Sequence, residues 1–454
     1  MPRIPMLFLF LMAFLPAPGV WADAAGGQGD STVLTLGSAI LSAITHNPEI
    51  IAAKSRIEAS SERIVQARSG MLPQINFTES FQRTTNPMWA FGTKLNQENI
   101  NQQDFAPDLL NDPDPLNNFA SRIWMAWPLF DAGQTWYGLR QAGADKTAAE
   151  WAFDRTRQEV IYKTIEAYTD LLLARDSVTV VEHAVNTAKT HLRMVENRFQ
   201  NGLVVKSDVL RTRVHIAELE QDQVTARSRV ATARAALNLV MGRRTDLEAM
   251  PADKLSATPF PQKPLAEWVQ TALTHRPDLK QVQSRLDMAE LEIKKSRAAH
   301  WPFLDVNGAY EMNSEDFGDQ AENYTIGANI TFNLFSGLRT SARTREAVNL
   351  VGEARANQQG LIQQARLETE KSYYDLLSAD SRLISAKLST ELAEEALRII
   401  RDRYENGLLN IDSLLDSELA LYRAGNNYCS ALKDHVQARA GMALATGGLN
   451  PDFQ

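Results

Sequence analysis

A single cysteine, Cys429, occurs in this chain of 454 residues. One thiol permits neither an internal disulfide nor a multi-cysteine zinc site, so stability must come from packing or assembly. Lys and Arg number 47 against 55 Asp and Glu, a net charge of −8, and no basic block occurs. That balance argues against nucleic acid as the main partner, because phosphate binding needs concentrated positive charge. After the N-terminal segment, no run approaches the ~20 apolar residues of a membrane helix. If the chain spans a membrane, it must do so with strands. None of the 7 histidines opens a His-Glu-x-x-His pair, and there is no Gly-x-Ser-x-Gly. Gly133-x4-Gly138 leads into Leu139-Arg140, not the Lys-Ser/Thr of a phosphate loop. No catalytic residue, cofactor or metal site is therefore expected. His183 and His191, two turns apart, read as a solvated helix face, and Cys429 as a small packing residue.

What is present begins with a delivery signal. Arg3 precedes an apolar run from Met6 to Val20 containing Pro16 and Pro18, followed by Trp21-Ala22-Asp23. A charged end, an apolar stretch and small residues describe a secretory signal, residues 1–22, cleaved after Ala22. No cysteine follows to carry a lipid.

The remainder is written twice. Thr45-His46-Asn47-Pro48-Glu49 returns as Thr274-His275-Arg276-Pro277-Asp278, an offset of 229. From Trp127 to Gly242 the offset is 205, matching Phe332 to Gly447 without a gap. Tyr168-x-Asp170-Leu171-Leu172 meets Tyr373-x-Asp375-Leu376-Leu377, and Arg198-x-x-Asn201-Gly202-Leu203 meets Arg403-x-x-Asn406-Gly407-Leu408. The change of offset places 24 extra residues between Pro73 and Trp127. Two halves of one architecture, 23–242 and 264–447, are expected, with a linker at 243–263 and a tail at 448–454.

Each half reads as helix, strand pair, very long helix, helix. The first has helices over 33–71 and 132–242 and strands over about 74–83 and 119–130. The second has helices over 264–300 and 338–446 and strands over about 303–313 and 323–335. The strands alternate: Tyr324, Ile326, Ala328, Ile330 and Phe332 against Asn323, Thr325, Gly327, Asn329 and Thr331. Val178, Val181, Val185, Ala188, Leu192, Val195 and Phe199 recur at steps of 3 and 4, the coiled-coil spacing, with no proline from Ala132 to Phe199. At 1.5 Å per residue such a helix reaches about 100 Å. Asn201-Gly202 and Asn406-Gly407 end the pattern as helix C-termini do. A shorter helix on either side of each long one then stacks end to end beside it.

Four strands cannot close a barrel in lipid, where an open edge is not tolerated. Several copies must therefore share one, and the count alone leaves two, three or four open. Trp124 and Trp127 are candidates for an interfacial belt. The enlarged loop, about 84–118, rich in proline, Asn, Gln and Asp, is expected at the cell surface or over the barrel mouth.

The repeated halves, the Asn-Gly-Leu turns, the Leu129-Phe130 and Leu334-Phe335 strand exits and the helix-breaking Pro73 and Pro302 resemble the TolC family of outer-membrane efflux proteins. The resemblance covers about Thr32 to Asn450. It implies a mainly α protein with a small β part: a homotrimer with an α-helical barrel and a shared 12-stranded β-barrel in outer-membrane lipid. It further implies a periplasmic adaptor and an inner-membrane pump as partners, and a passive duct, not an enzyme. Cargo choice is then expected in the pump. By the resemblance, the tips Asn201-Gly202-Leu203-Val204 and Asn406-Gly407-Leu408-Leu409 meet the adaptor. Ser207, Asp208, Tyr404, Asp412 and Asp416 fall at the periplasmic gate, Ser413 standing where a second acidic residue may occur and Leu409 where a basic latch residue can. The plainer reading is that Ser207, Asp208 and Asp412 cap helix starts, satisfying free N–H groups. The competing reading, a soluble periplasmic coiled-coil adaptor or structural protein, accounts for the hairpins but not for four alternating strands placed symmetrically between them.

Overall fold

A computed structural model of the chain describes residues 33–261, 263–316 and 318–453. The expected signal, 1–22, lies outside the described residues. The helix expected over 33–71 is divided into α1 (Leu36–His46) and α2 (Pro48–Ser69), preceded by a short strand β1 (Val33–Leu34). Proline at the first helical position forces its predecessor out of the α region, and Asn47 accordingly sits at φ −65°, ψ 129°. Pro277 likewise divides the helix expected over 264–300 into α7 (Leu265–His275) and α8 (Pro277–Ala298). The connector expected at 243–263 contains a strand, β4 (Met250–Pro251), which pairs parallel with β1 and clips the two ends of the first half together.

Two helices of 67 residues, α5 (Gln134–Gln200) and α9 (Arg339–Glu405), are each about 100 Å long. Their return partners are α6 (Lys206–Val240) and α10 (Ile411–Ala445), each of 35 residues. The end-to-end stacking of short helices has a specific joint in each half. The Asn47 amide donates to the Val240 carbonyl at 2.8 Å while its carbonyl oxygen accepts from the Glu49 N–H at 2.7 Å. In the second half Arg276, 1% exposed, donates to the Ala445 carbonyl, the repeat equivalent of Val240, and ion-pairs with Asp278 and Glu368 at 2.6 and 2.7 Å. Arg276 thus joins α8 to α10 by charge where Asn47 joins α2 to α6 by a neutral amide. Burial pushes the Asp278 carboxyl up, but the hydrogen bond and charge of Arg276 hold it below the usual carboxylate range.

The joints also need glycine. Gly242 has φ +70°, and a β-carbon there would lie 2.2 Å from the His46 carbonyl oxygen; Gly202 at the tip has φ +71° but open space around it. Gly202→Ala is therefore expected to cost only the left-handed backbone penalty, about 1–2 kcal/mol. Gly242→Ala must in addition push the His46–Asn47 backbone between α1 and α2 away from the end of α6 and lower the unfolding temperature far more. A comparison of the two melts checks this; equal losses would remove the joint from the account.

Strands β2 (Gln74–Thr84), β3 (Leu116–Phe130), β5 (Phe303–Ser314) and β6 (Ala321–Thr331) form one antiparallel sheet in the order β2-β3-β5-β6. β3 starts three residues before the expected 119 because Leu116 pairs with Thr84. β6 stops at Thr331, short of the expected 335, because its partner Phe303 begins β5 and no ladder lies beyond. The expected loop 84–118 holds α3 (Pro87–Asn96), a single 3-10 turn (Gln102–Phe105) and α4 (Pro107–Asn111).

Candidate functional site

The sheet has two chemically distinct faces. Phe77 pairs with Ile123, Ile123 with Tyr310, and Tyr310 with Tyr324, so one register row crosses all four strands with apolar or aromatic side chains. Neighbouring rows on that face carry Ile75, Met125, Val306, Ile326 and Ile330, and Ile326 and Ile330 are 77% and 76% exposed. The opposite face carries Asn76, Thr78, Arg122, Glu311 and Asn329, with Arg122 and Glu311 ion-paired across β3 and β5 at 3.7 Å. Trp127 lies on the apolar face and its indole donates to the Met71 carbonyl. Trp124, three residues away, lies on the polar face, because an odd separation in a strand changes face. An interfacial belt therefore does not include Trp124.

Among the described residues both outer strands, β2 and β6, lack a neighbour on one side, and the helical layer is open in the same way. α5 packs against α2 and α6 on one flank and against α8 and α10 on the other, whereas among the described residues α9 packs against α7, α8 and α10 with no comparable partner in place of α2 and α6. Sixteen residues of α5 are buried against seven of α9. Along α9, Leu367, Tyr374, Leu377, Ile384, Leu388 and Leu392 stand exposed at steps of 3, 4 and 7, one face of a helix. At the other end of the order, α2 and α6 expose Ile51, Val65, Leu210, Val214 and Val224.

The two tips are built alike. Asn201 Nδ2 donates to Asn197 O at 2.8 Å and Asn406 Nδ2 to Asp402 O at 2.7 Å. The N–H of Leu203 reaches Arg198 O and that of Leu408 reaches Arg403 O, closing each helix through a left-handed glycine. Leu203 and Leu408 are each 72% exposed, while Val204 and Leu409 are half-buried behind them.

Of the expected gate residues, Tyr404 and Asp412 take part in contacts between the hairpins. Tyr404 is buried with Val195, Val209, Ile411 and Leu414, so that α5, α6, α9 and α10 share one core at the tips. Burial pushes the Tyr404 hydroxyl up, the Arg198 charge opposes this and Asp208 adds to it. Arg198 crosses from α5 to the end of α9, donating to Tyr404 O at 2.8 Å and to Glu405 O, with its guanidinium 4.9 Å from the Tyr404 ring. Arg211 on α6 ion-pairs with Asp412 on α10. Ser207 bonds its neighbour Asp208 at 3.4 Å, and Asp416 is exposed. Ser207, Asp208 and Asp412 do not cap helices: Val205 precedes α6 without a side-chain bond, and Asn410 caps α10 through Ser413 N. Sequence reasoning missed Arg198 and Arg211 as gate residues: Arg198 lies three residues before Asn201 and Arg211 three after Asp208, but their partners lie in the other repeat.

His191 departs from the expected solvated face. It is 4% exposed and its Nδ1 bonds Glu418, itself 8% exposed, on α10. Burial disfavours the charged Glu418 carboxyl, yet His191 and His215 beside it hold it below the usual range. Burial also pushes the Cys429 thiol up.

The 84–118 segment folds over the polar face of the sheet. Met88, Trp89 and Gly92 of α3 form one wall of a groove whose other wall is Thr78, Ser80 and Arg122. Gln97 donates to Asn117 O and Asn118 Oδ1, and Asn118 to Asn313 Oδ1, each at 2.8 to 2.9 Å. A Lys94–Asp104 ion pair of 2.7 Å holds the segment to itself. Among the described residues there is no group of three or more His, Cys, Asp or Glu able to hold a metal, and no helix is long and apolar enough to cross a membrane.

The family pattern described as outer membrane efflux protein matches residues 39–243 and 268–448, nearly the whole of both repeats. The alkaline protease secretion protein AprF of Pseudomonas aeruginosa is 22% identical over 415 residues, covering 90% of this chain and 83% of that protein. The outer membrane protein TolC of Vibrio cholerae is 23% identical, covering 89% of each. Among solved structures, the CmeC outer membrane channel of Campylobacter jejuni superimposes with a TM-score of 0.76 at 18% identity, covering 92% of this chain and 87% of that one. The open-state MtrE outer membrane channel of Neisseria gonorrhoeae gives 0.75 at 19% identity, covering 92% and 90%.

Proposed function

Because the chain belongs to the outer membrane efflux protein family, we propose that three copies form an outer-membrane channel whose helices continue as a duct into the periplasm. It conducts, passively, what an inner-membrane pump delivers through a periplasmic adaptor. The observation that carries this reading is the coincidence of open flanks: β2 with α2 and α6 at one end of the subunit, β6 with α9 at the other. A rotation that brings one end of a copy to the other end of the next pairs the strands and covers the apolar stripe of α9 in a single step. Two copies would give an eight-stranded barrel, whose interior side chains fill; three leave a lumen for the polar face and α3.

In this arrangement Leu203 and Leu408, with Asn201, Gly202, Val204, Asn406, Gly407 and Leu409, present apolar knobs to the adaptor. The Arg198 and Arg211 ties hold the hairpins of the mouth together. Asp208 and Asp416, with Ser207 and Asp412 near them, supply the negative charge that selects cations. The segment 84–118 narrows the outer end. Reconstitution in a planar bilayer tests the reading: a cation-preferring conductance is expected, and Asp208→Asn with Asp416→Asn should reduce that preference at low salt. No conductance from the wild-type protein would overturn the channel, while unchanged preference in the variant would remove only the acidic mouth.

A further inference from the structure

Four arginines mark the boundary between strands and helices, two in each repeat. Arg68 on α2 and Arg297 on α8 are equivalent at the offset of 229, and Arg140 on α5 and Arg345 on α9 at the offset of 205. Their heights match in pairs. Arg63 meets Asp145 across the antiparallel α2 and α5 at 2.7 Å, and five residues nearer the sheet on each helix stand Arg68 and Arg140. Gln283 meets Gln358 across α8 and α9 at 2.7 Å, and fourteen residues nearer the sheet on α8 stands Arg297, level with Arg345 to within one position. The nearby carboxylates of Asp145 and Glu292 are taken by Arg63 and Arg343. All four boundary arginines are exposed, and none forms an ion pair among the described residues. No residue three or four positions from any of them is acidic.

Helix geometry fixes the side they face. Phe303 lies on the polar face of the sheet, opposite Thr331, and shares a cleft with Gly70 at the end of α2, Gly138 of α5 and Lys295 of α8. Arg68, Arg140 and Arg297 each stand two residues from one of these, about 200° round a helix. They therefore point to the side of the sheet's apolar face, and Arg345 follows as the repeat equivalent of Arg140. Both flanks of α5 and α8 are already packed, yet Arg140 and Arg297 stay exposed. A closed ring accordingly leaves the equivalent Arg345 and Arg68 uncovered too. Each pair has an indole on its sheet side. Trp136, 47% exposed, has its ring 4.9 Å from the Arg140 guanidinium, and Trp301, 69% exposed, lies one turn beyond Arg297.

Two like charges side by side without a carboxylate repel, more strongly beside an apolar layer than in water. A phosphate between them turns repulsion into attraction, because guanidinium groups bind its oxygens in bidentate fashion. Indoles settle at headgroup depth. We infer that each repeat holds one anionic phospholipid of the periplasmic leaflet, its phosphate bridged by Arg68 and Arg140 in the first half and by Arg297 and Arg345 in the second. Basic residues just outside a membrane segment attract anionic headgroups in this way. Such sites rest on the proposed placement of the sheet in the outer membrane.

Native mass spectrometry of the full-length, detergent-solubilised assembly tests this, with phosphatidylglycerol as probe and phosphatidylcholine of the same acyl chains as control. Two phosphatidylglycerol molecules per chain are expected, with about fivefold lower occupancy by phosphatidylcholine, which carries no net charge. Arg68→Gln with Arg140→Gln should halve the bound lipid, and all four substitutions should abolish it without changing the oligomer's mass. Arg229→Gln with Arg401→Gln, exposed positions away from the junction, should change nothing. Excess inorganic phosphate should leave the lipid bound, because the acyl chains lie against the apolar face of the sheet. Equal occupancy by the two lipids, retention after loss of all four arginines, or displacement by phosphate would each overturn the assignment. An intact, conducting oligomer that gives one of these results leaves the duct reading standing, whereas wild-type chains that never assemble would remove both.

Discussion

Replacing Arg198 and Arg211 together by alanine is expected to shift the periplasmic mouth toward its open form, about 10- to 100-fold in the closed–open equilibrium. Arg198 alone spans from α5 to two backbone carbonyls at the end of α9, and a hydrogen bond from a charged donor contributes about 1.5–3 kcal/mol. Arg211 adds a more exposed pair with Asp412, whose contribution weakens with salt. Single-channel recording should show the variant dwelling in a higher-conductance state than wild type, with the largest difference at low ionic strength. The repeat carries the argument one step further. Arg403 occupies the Arg198 position of the second half, and its counterpart carbonyls, those of Phe199 and Gln200, belong to the next subunit in a closed ring. Arg403→Ala is expected to loosen the mouth in the same direction. Wild-type conductance in both variants would separate these arginines from gating.

A lysine at Ile326 is expected to block assembly in the membrane, while a lysine one residue earlier, at Thr325, is tolerated. Ile326 stands on the apolar face, opposite Gly308; Thr325 stands on the polar face, opposite Ala309. A lysine facing the bilayer midplane costs about 2–4 kcal/mol per copy, and a closed ring carries that cost in every subunit. Lumen-facing charge remains in water. Yield of the folded, outer-membrane form on unheated gels checks this. Equal yields for the two variants would mean that the faces have been assigned wrongly.

Periodicity made much of this architecture legible before any coordinates. The alternation in residues 323–332, the 3-and-4 spacing that ends at Phe199 and the Asn-Gly breaks are local statements, and local geometry realises them. What the sequence concealed were contacts made at a distance. The β1 and β4 pair is two residues on each side, too short for any periodic signal. His191 looked solvated because its partner Glu418 lies 227 positions away, and the ties from Arg198 and Arg211 cross between repeats in the same way. Trp124 was different: its odd separation from Trp127 already placed the two on opposite faces, so that error lay in applying the pleat. At the candidate mouth, location was readable from the repeat, but the basic partner of Asp412 was not, because Arg211 answers from the other hairpin and not from position 409.

The account depends most on the subunit being one third of a closed cylinder, and native mass spectrometry of the protein extracted gently from outer membranes measures that number. A single species at three times the mature chain mass is predicted, falling apart only together with loss of the β-sheet signal. A folded species at one chain mass that keeps its full β content and stays soluble without detergent would contradict it.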